Sequence, residues 1–462
     1  MRASGSAEHR SRDGPKPPAE TGSHIEEQRG TVMRRRTVLT GLALGGLTAA
    51  GCSNSGSGGG GGGDVDISDT EMEATIEFAV WESDFDWDSV IEGFNETYPN
   101  ITVQMTKTPF KDFFTRLQTQ ASGDNLPDTF MMNGPNFQLY ASHGILTSFE
   151  NAVDAGELDF SNYPEAMEEL YTYEDVPYGI PTSYDSIGLW YNEELFEKAG
   201  VDVPTDEWAW EDLHEASTAI SEALSDEGVY GFAGGAYNQE LFYNLIFQAG
   251  GEVLDEDATE ARYSSEGSRK ALQFLRDMVE DGSSPSIQTT ADTSPDELFK
   301  SGKAAMVYGG SFRVAGYVDS AVGENIQVVR LPMGEQRGVV LHGGAVVASA
   351  ESENADAAAA FAVYTGSQEG QQIIGESGAS IPAYQGTEQA YIEAHPEYDL
   401  EVFPESAEEY GFPYPVSANT QAWLEVESDM VPKILAGELS VEEGTTELDE
   451  RINALLAEED EQ

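Results

Sequence analysis

Aromatic, amide and charged side chains recur along this chain in loops at the ends of segments that read as strands. They are Trp81; Asn133 and Asn136; Tyr184 with Asp185; Tyr237, Asn238 and Gln239; and Phe312 and Arg313. Rings offer flat apolar faces to the C–H surface of a polyhydroxylated molecule. Asn, Gln, Asp and Arg supply fixed donors and acceptors for its hydroxyls. Any one of these residues is as much at home in a core or a turn, so it is their recurrence in loops of one kind that points to a binding site.

Catalytic chemistry finds less support. His143, His214, His342 and His395 never fall within four residues of one another, so no histidine-based metal site is spelled out. The G-x-S-x-G and H-E-x-x-H signatures and the EF-hand loop are absent. The glycine-rich stretch Gly231–Asn238 lacks both G-x-G-x-x-G and the Lys-Ser/Thr of a phosphate loop. No metal or cofactor is expected. A glycosidase needs only two carboxylates, which an acidic chain supplies anywhere, so it stays open as the enzyme alternative.

Positioning these residues takes strands and helices. Thr75–Trp81 alternates Ile76, Phe78 and Val80 with polar neighbours, as a strand does, and Trp87, Val90, Ile91, Phe94 and Tyr98 follow at helical spacing. A strand at 101–105, a helix at 113–121 and a strand at 128–132 complete the pattern of an α/β lobe with a parallel sheet. Ligands of such sheets collect beyond the carboxyl ends of the strands, here Trp81–Ser83 and the loop Asn133–Asn136. In Tyr178–Asn192, Ile187–Asn192 reads as a strand. Pro181 fixes a torsion and donates no hydrogen bond, which predicts irregular structure for Ile180–Asp185. Further on, helices are expected at 193–200, 240–250, 268–280 and 354–374 and strands at 304–308 and 341–349. Beyond Pro396 the spacing predicts a loose acidic stretch with Pro404, Pro413 and Pro415, then two closing helices.

The formal net charge is −61 over 462 residues. Eight basic and five acidic residues precede Cys52, which leaves 79 acids against 15 bases beyond it. Such a chain repels nucleic acid and anionic lipid. With 39% hydrophobic and 10% aromatic residues it can still build large cores, and its acids are dispersed. Solvated carboxylates on a folded surface, as in extreme halophiles, are the better reading than disorder. The length past the tether exceeds one core, so two lobes are expected.

The N-terminus reads as an export signal. Arg34-Arg35-Arg36 precedes the apolar run Thr37–Ala50, which is shorter than the roughly 17–25 residues that span a bilayer. Arg35-Arg36-Thr37-Val38-Leu39 resembles a twin-arginine (Tat) signal, and Thr48-Ala49-Ala50-Gly51-Cys52 resembles a lipobox, which makes Cys52, the sole cysteine, a lipid-attachment site. Residues 1–32 are expected to be disordered or untranslated, 33–51 to be the signal, and 52–73 to be a Gly/Ser-rich, acidic, loose tether.

Several stretches in order resemble the extracellular solute-binding proteins of ABC importers, family 1, the group containing maltose/maltodextrin-binding protein. They are Asn125–Phe149 (NLPDTFMMNGPNFQLYASHGILTSF), Tyr178–Gly200 with Trp208–Leu213, Leu298–Phe312 (LFKSGKAAMVYGGSF), Gly343–Ser349, Ala355–Thr365 and Gly378–Ala383 (GASIPA). The resemblance covers roughly Thr75–Leu456. It implies an α/β, two-lobed periplasmic-binding-protein-like fold of type II, each lobe a mainly parallel sheet flanked by helices. The N-lobe would be 74–184 plus 347–397 and the C-lobe 185–346 plus 398–462, with chain crossings near Tyr184–Leu189 and Leu341–Val347. It implies a sugar or oligosaccharide held between the lobes and handed to the transmembrane subunits of an ABC permease, by a monomer tethered to the outer face of the membrane. By position it makes Asp185 the acid that bonds sugar hydroxyls, Phe312 and Trp423 stacking residues, and Trp81, Glu82, Asn133, Asn136, Tyr237, Asn238 and Gln239 further ligand contacts; Tyr184, Arg313 and Gly343, in the same loops and crossings, are expected to join them. Phe312 stands where the family usually has Trp, and Met132 where it often has an aromatic, which leaves the sugar open. A secreted carbohydrate-active enzyme and a surface adhesin are the alternatives.

Overall fold

The alternation of Ile76, Phe78 and Val80 is realised as a strand with all three side chains wholly buried. The computed structural model describes residues 65–459. Among them the strands are, in chain order, β1 (Ala74–Trp81), β2 (Ile101–Thr108), β3 (Thr129–Asn133), β4 (Thr172–Tyr173), β5 (Val176–Pro177), β6 (Ile180–Asp185), β7 (Ile187–Asn192), β8 (Tyr230–Phe232), β9 (Ala304–Gly310), β10 (Ile326–Val329), β11 (Val339–Ala348), β12 (Ile381–Pro382) and β13 (Gly411–Pro413). A large sheet runs in the order β12-β6-β11-β3-β1-β2, with β13 paired to β11, and a smaller one runs β10-β7-β9-β8.

Both sheets are mixed, not mainly parallel. β1 is parallel to β2 and β3, but β11 runs antiparallel to β3 and β6. In the small sheet β7 is antiparallel to both neighbours, and only β8 and β9 are parallel. Helices join β1, β2 and β3, which the periodicity showed; the pairings of β7 and β11 bring together strands from distant sequence, which periodicity does not show.

The helices cover these sheets. Ala355–Gly366 is apolar around its circumference and buried from Ala357 to Gly366. Its Phe361 meets Phe78 edge-on at 4.9 Å and Phe94 at 5.1 Å. Ala is the smallest side chain that favours a helix, so this one can lie close against the sheet from several sides.

The sheets exchange chain over very short distances. β6 belongs wholly to the large sheet and β7 wholly to the small one, so Ser186 alone separates them. A second passage lies between Val329 and Val339, ahead of the Leu341–Val347 stretch expected to cross, because every pairing of β11 is within the large sheet.

Four local expectations are corrected. Ile180–Asp185 is a strand despite Pro181: the ladder with β11 slips between Gly344 and Ala345, opposite Pro181, and that irregularity accommodates the missing N–H. Asn133–Asn136 is not a loop, since β3 ends on Asn133 and a helix begins at Gly134 with Pro135 in its first turn, where proline costs no hydrogen bond. The stretch after Pro396 contains the helix Val402–Tyr410, with Pro404 again in the first turn. Residues 65–73 are not all loose: Val65 and Ile67 are buried, and the Tyr98 hydroxyl donates to the Ile67 carbonyl at 2.9 Å. Residues 1–51, Cys52 and the glycine run lie outside the described residues.

Candidate functional site

Strand ends of the large sheet and helix starts beyond the small sheet meet across an open cleft of about 910 Å³. The large-sheet wall carries Trp81–Ser83 past β1, Asn133 at the end of β3, Ser183 and Asp185 on β6, and His342–Gly344 on β11. Facing them are Asn238–Glu240, Phe312 and Arg313, with Gln421 and Glu425 from the helix Thr420–Leu435.

One wall is aromatic. Trp81 packs edge-on against Phe110 at 5.6 Å and lies 6.1 Å from Phe114. Phe110 leaves about half its surface open, 54%. Across the cleft, the Arg313 guanidinium lies 5.1 Å over the Phe312 ring.

Asp185 closes the floor. Its Oδ1 accepts from Ser380 Oγ at 2.9 Å and stands 3.5 Å from Ser311 Oγ. Burial pushes this carboxyl up to about 7, against the pull of the Ser380 hydrogen bond, while nearby Glu240 adds to the rise. Beside it, Glu240 and Arg313 form a two-pronged pair, Nε to Oε1 at 2.9 Å and Nη2 to Oε2 at 2.8 Å. Burial works against the arginine's charge, but the bonds to Glu240 prevail and its pKa is raised.

A second buried acid lies behind the wall. Glu427 is 3% exposed and accepts from the Tyr243 hydroxyl at 2.6 Å and from Asn238 Nδ2 at 3.2 Å. Asn238 Nδ2 also reaches the Tyr414 hydroxyl at 3.0 Å, and the Tyr414 ring lies 4.9 Å from that of His342. Burial lifts Glu427 to about 8 and lowers His342 to about 4, so both sit neutral near pH 7.

Four residues of the cleft wall carry buried polar atoms without a hydrogen-bond partner: Ser83 Oγ, Asn136 Oδ1, Gln239 Nε2 and His342 Nε2. Asn136 spends its Nδ2 on Asn133 Oδ1 at 2.7 Å, which leaves its oxygen free. Each such atom costs about 1–3 kcal/mol of desolvation, which a ligand's hydroxyls can recover. The arrangement is suited to holding a neutral, hydroxyl-rich molecule between an aromatic face and a row of fixed polar groups. Among the described residues no cluster of His, Cys, Asp and Glu is arranged to hold a metal ion.

The cleft brings together Trp81, Glu82, Asn133, Asn136, Asp185, Asn238, Gln239, Phe312, Arg313 and Gly343. Three expected residues are placed elsewhere. Tyr184 alternates with Ser183 and Asp185 on β6, so its side chain enters a groove on the opposite face with Glu388 and Glu408. Tyr237 stands on the far side of the Glu240–Arg313 pair, and Trp423 is wholly buried, its indole N–H donating to Ser417 Oγ at 3.0 Å. Cys52 lies outside the described residues.

Sequence reading passed over Phe110, Phe114, Ser183, Ser311, Ser380, His342 and Tyr414. For the two phenylalanines a signal existed: Phe110, Phe113 and Phe114 crowd the first turn of one helix, more rings than its core face can bury. The serines and His342 give no local sign, because pairing across more than a hundred residues puts them there.

The sequence profile described as "Bacterial extracellular solute-binding protein" matches residues 77–372. A Brucella abortus (strain 2308) protein described as a binding protein is 25% identical over 255 residues, 54% of this chain and 60% of the relative, so the chain matches about three-fifths of that relative's length. The galactooligosaccharide-binding protein of Bacillus subtilis (strain 168) is 20% identical over 66% of this chain and 72% of its own. Among solved structures, an ABC substrate-binding protein of Listeria monocytogenes in complex with cycloalternan superposes with a TM-score of 0.76 at 26% identity, over 84% of this chain and 100% of that one. The GacH receptor of Streptomyces glaucescens, at 23% identity and a TM-score of 0.73 over 84% of this chain and 99% of its own, shares the fold.

Proposed function

As a premise, the chain belongs to the bacterial extracellular solute-binding proteins, and on that footing we propose that it binds a sugar or oligosaccharide in the cleft between its two sheets and delivers it to the permease of an ABC importer. The observation that carries the ligand class is the meeting, in one cleft, of exposed aromatic faces with buried polar atoms left without protein partners. A galactooligosaccharide-binding relative and a neighbour solved with cycloalternan support the same class. The two sheets with their helices would be the lobes, bounded at Ser186 and at residues 330–338 and not near Val347, and these two segments would bend between them. A ligand touching both walls favours the closed arrangement by the difference in its contacts between closed and open states.

In this reading the chain performs no chemistry: Asp185 accepts hydroxyl protons as a hydrogen-bond partner, not as a base. Export through a twin-arginine signal, lipid attachment at Cys52, a monomeric state and a halophilic setting complete the proposal. The first, second and last of these rest on Arg35-Arg36, on the residues before Cys52 and on the charge of −61, and the monomer is carried over from the family resemblance.

The test is a thermal-shift panel of mono- and oligosaccharides in molar KCl. At a free ligand concentration a hundredfold above Kd, binding stabilises the fold by about 2.7 kcal/mol, and at least one saccharide is expected to raise Tm accordingly. A flat response across the panel removes the receptor reading and favours an adhesin. Release of reducing ends from the same oligosaccharides would restore the glycosidase.

A further inference from the structure

The motif Asn-x-Ser/Thr, with x any residue but proline, occurs twice in the chain, as Asn95-Glu96-Thr97 and Asn100-Ile101-Thr102. It is the acceptor sequence for attaching sugar to an asparagine amide. Two side chains must be presented together, the amide and the hydroxyl two residues on. The fold treats the two copies oppositely.

Asn95 and Thr97 lie in the last turn of the helix Trp87–Thr97. Side chains two apart on a helix diverge around its axis and do not face each other. The Asn95 Oδ1 is also sealed from solvent. Asn100 lies in the turn that joins this helix to β2, and Thr102 lies on β2 itself. In a strand, residues two apart share a face. Burial follows that rule here: Asn100 is exposed, Ile101 is buried at 3% exposure, and Thr102 is exposed. This copy therefore turns its amide and its hydroxyl to solvent together.

The Asn100 amide is only loosely held. Its Nδ2 donates to the Glu71 carbonyl at 3.3 Å, long for such a bond. Attachment of sugar to the nitrogen leaves one N–H, so even this contact can persist. The cleft is far away. β1 and β2 run parallel from Ala74 beside Ile101 to Trp81 beside Thr108, which puts Asn100 about 23 Å from the cleft end of β1 at roughly 3.3 Å per residue. β2 is also the outer strand of the large sheet. A bulky hydrophilic group at its start would shield that edge from pairing with another chain.

We propose that Asn100 is an N-glycosylation site and that Asn95 is not. In the step, a membrane transferase joins the Asn100 Nδ2 to the anomeric carbon of a lipid-linked sugar phosphate. The nitrogen–carbon bond forms, the bond from that carbon to the phosphate oxygen breaks, and the amide proton leaves with the lipid phosphate. The proposal rests on the export reading above, which brings the chain to the outer face of the membrane.

Mass spectrometry of the protein purified from the cells that produce it tests this, after proteolysis following acidic residues. Cleavage after Glu96 puts the two asparagines on separate peptides. The Asn100 peptide is expected to carry whole monosaccharide increments, and the Asn95 peptide none. Asn100→Gln and Thr102→Val should each abolish the increment, while Thr102→Ser and Asn95→Gln should keep it. Retention in Thr102→Ser separates loss of the acceptor from loss of the fold. An unmodified Asn100 in protein that added protease cleaves on intact cells overturns the site and leaves the export and receptor readings standing. Sugar on Asn95 also overturns it. Protein shielded from that protease removes the export reading and this proposal with it.

Discussion

Glu427 and His342 are the residues where this site stores cost. Glu427 is held by two donors and no cation, and its carboxyl is pushed up to about 8 by burial. Below about pH 4.5 it is protonated folded or unfolded. As pH climbs from there through 8 the unfolded chain releases the proton first, so stability is lost over that window, on the order of a few kcal/mol. His342 acts with the opposite sign. Lowered to about 4 by burial, it makes the fold lose stability as pH falls from 6.5 through 4. Glu427→Gln keeps a carbonyl for Tyr243 and removes the titration. Its unfolding free energy is expected to match wild type within about 1 kcal/mol at pH 5 and to exceed it at pH 9. A wild-type advantage at pH 9 would place the ionised carboxylate, not the neutral acid, in the favourable role.

At the scale of elements, β6 decides which neighbours become ligand contacts. Successive strand residues face opposite ways, so Asp185 lines the cleft while Tyr184 enters the rear groove. Above about pH 8, where the carboxyl raised to about 7 is ionised, Asp185→Asn is expected to weaken saccharide binding about ten- to hundredfold by calorimetry, the range of a hydrogen bond to a charged group. Tyr184→Phe should leave it within about twofold. Comparable losses in both would mean that the strand's facing is not what selects the contact. β11 passes so close to β6 that a Cβ on Gly343 would meet the Ser183 carbonyl oxygen at 2.2 Å. Gly343→Ala must therefore part the two strands that frame the cleft floor. It should lower stability by about 1–3 kcal/mol or more in thermal unfolding, with ligand affinity falling too. An unchanged Tm would show that the strands separate there at little cost.

Across the whole molecule, the acids are balanced only locally. Arg330 alone clamps Glu405 at 2.7 Å and also Glu409, and such clamps are few among 84 acidic residues. Screening shortens the reach of the remaining repulsion from about 10 Å at 0.1 M salt to about 3 Å at 1 M. Tm is expected to rise steadily from about 0.1 M to about 3 M KCl. A Tm independent of salt would remove the halophilic reading. Saturating saccharide should also reduce the radius of gyration in solution scattering, as lobes bending about Ser186 would require.

By itself the amino-acid order determined much. The alternation of Ile76, Phe78 and Val80, the amphipathic helices and their glycine stops are local facts, set by side-chain period and backbone torsion, and they were legible. So were the motifs that fixed the family, and ten residues that line the cleft, most of them at or just past the ends of such elements. Tertiary structure decided what depends on pairing across the chain. It set the antiparallel partners of β11, the bulge that lets Pro181 sit in a strand, and the inward burial of Trp423. It also brought His342, Ser311 and Ser380 to Asp185. Strand registry turns on contacts between segments more than a hundred residues apart, and a shift of one residue exchanges Tyr184 for Asp185 in the cleft. No local pattern carries that information.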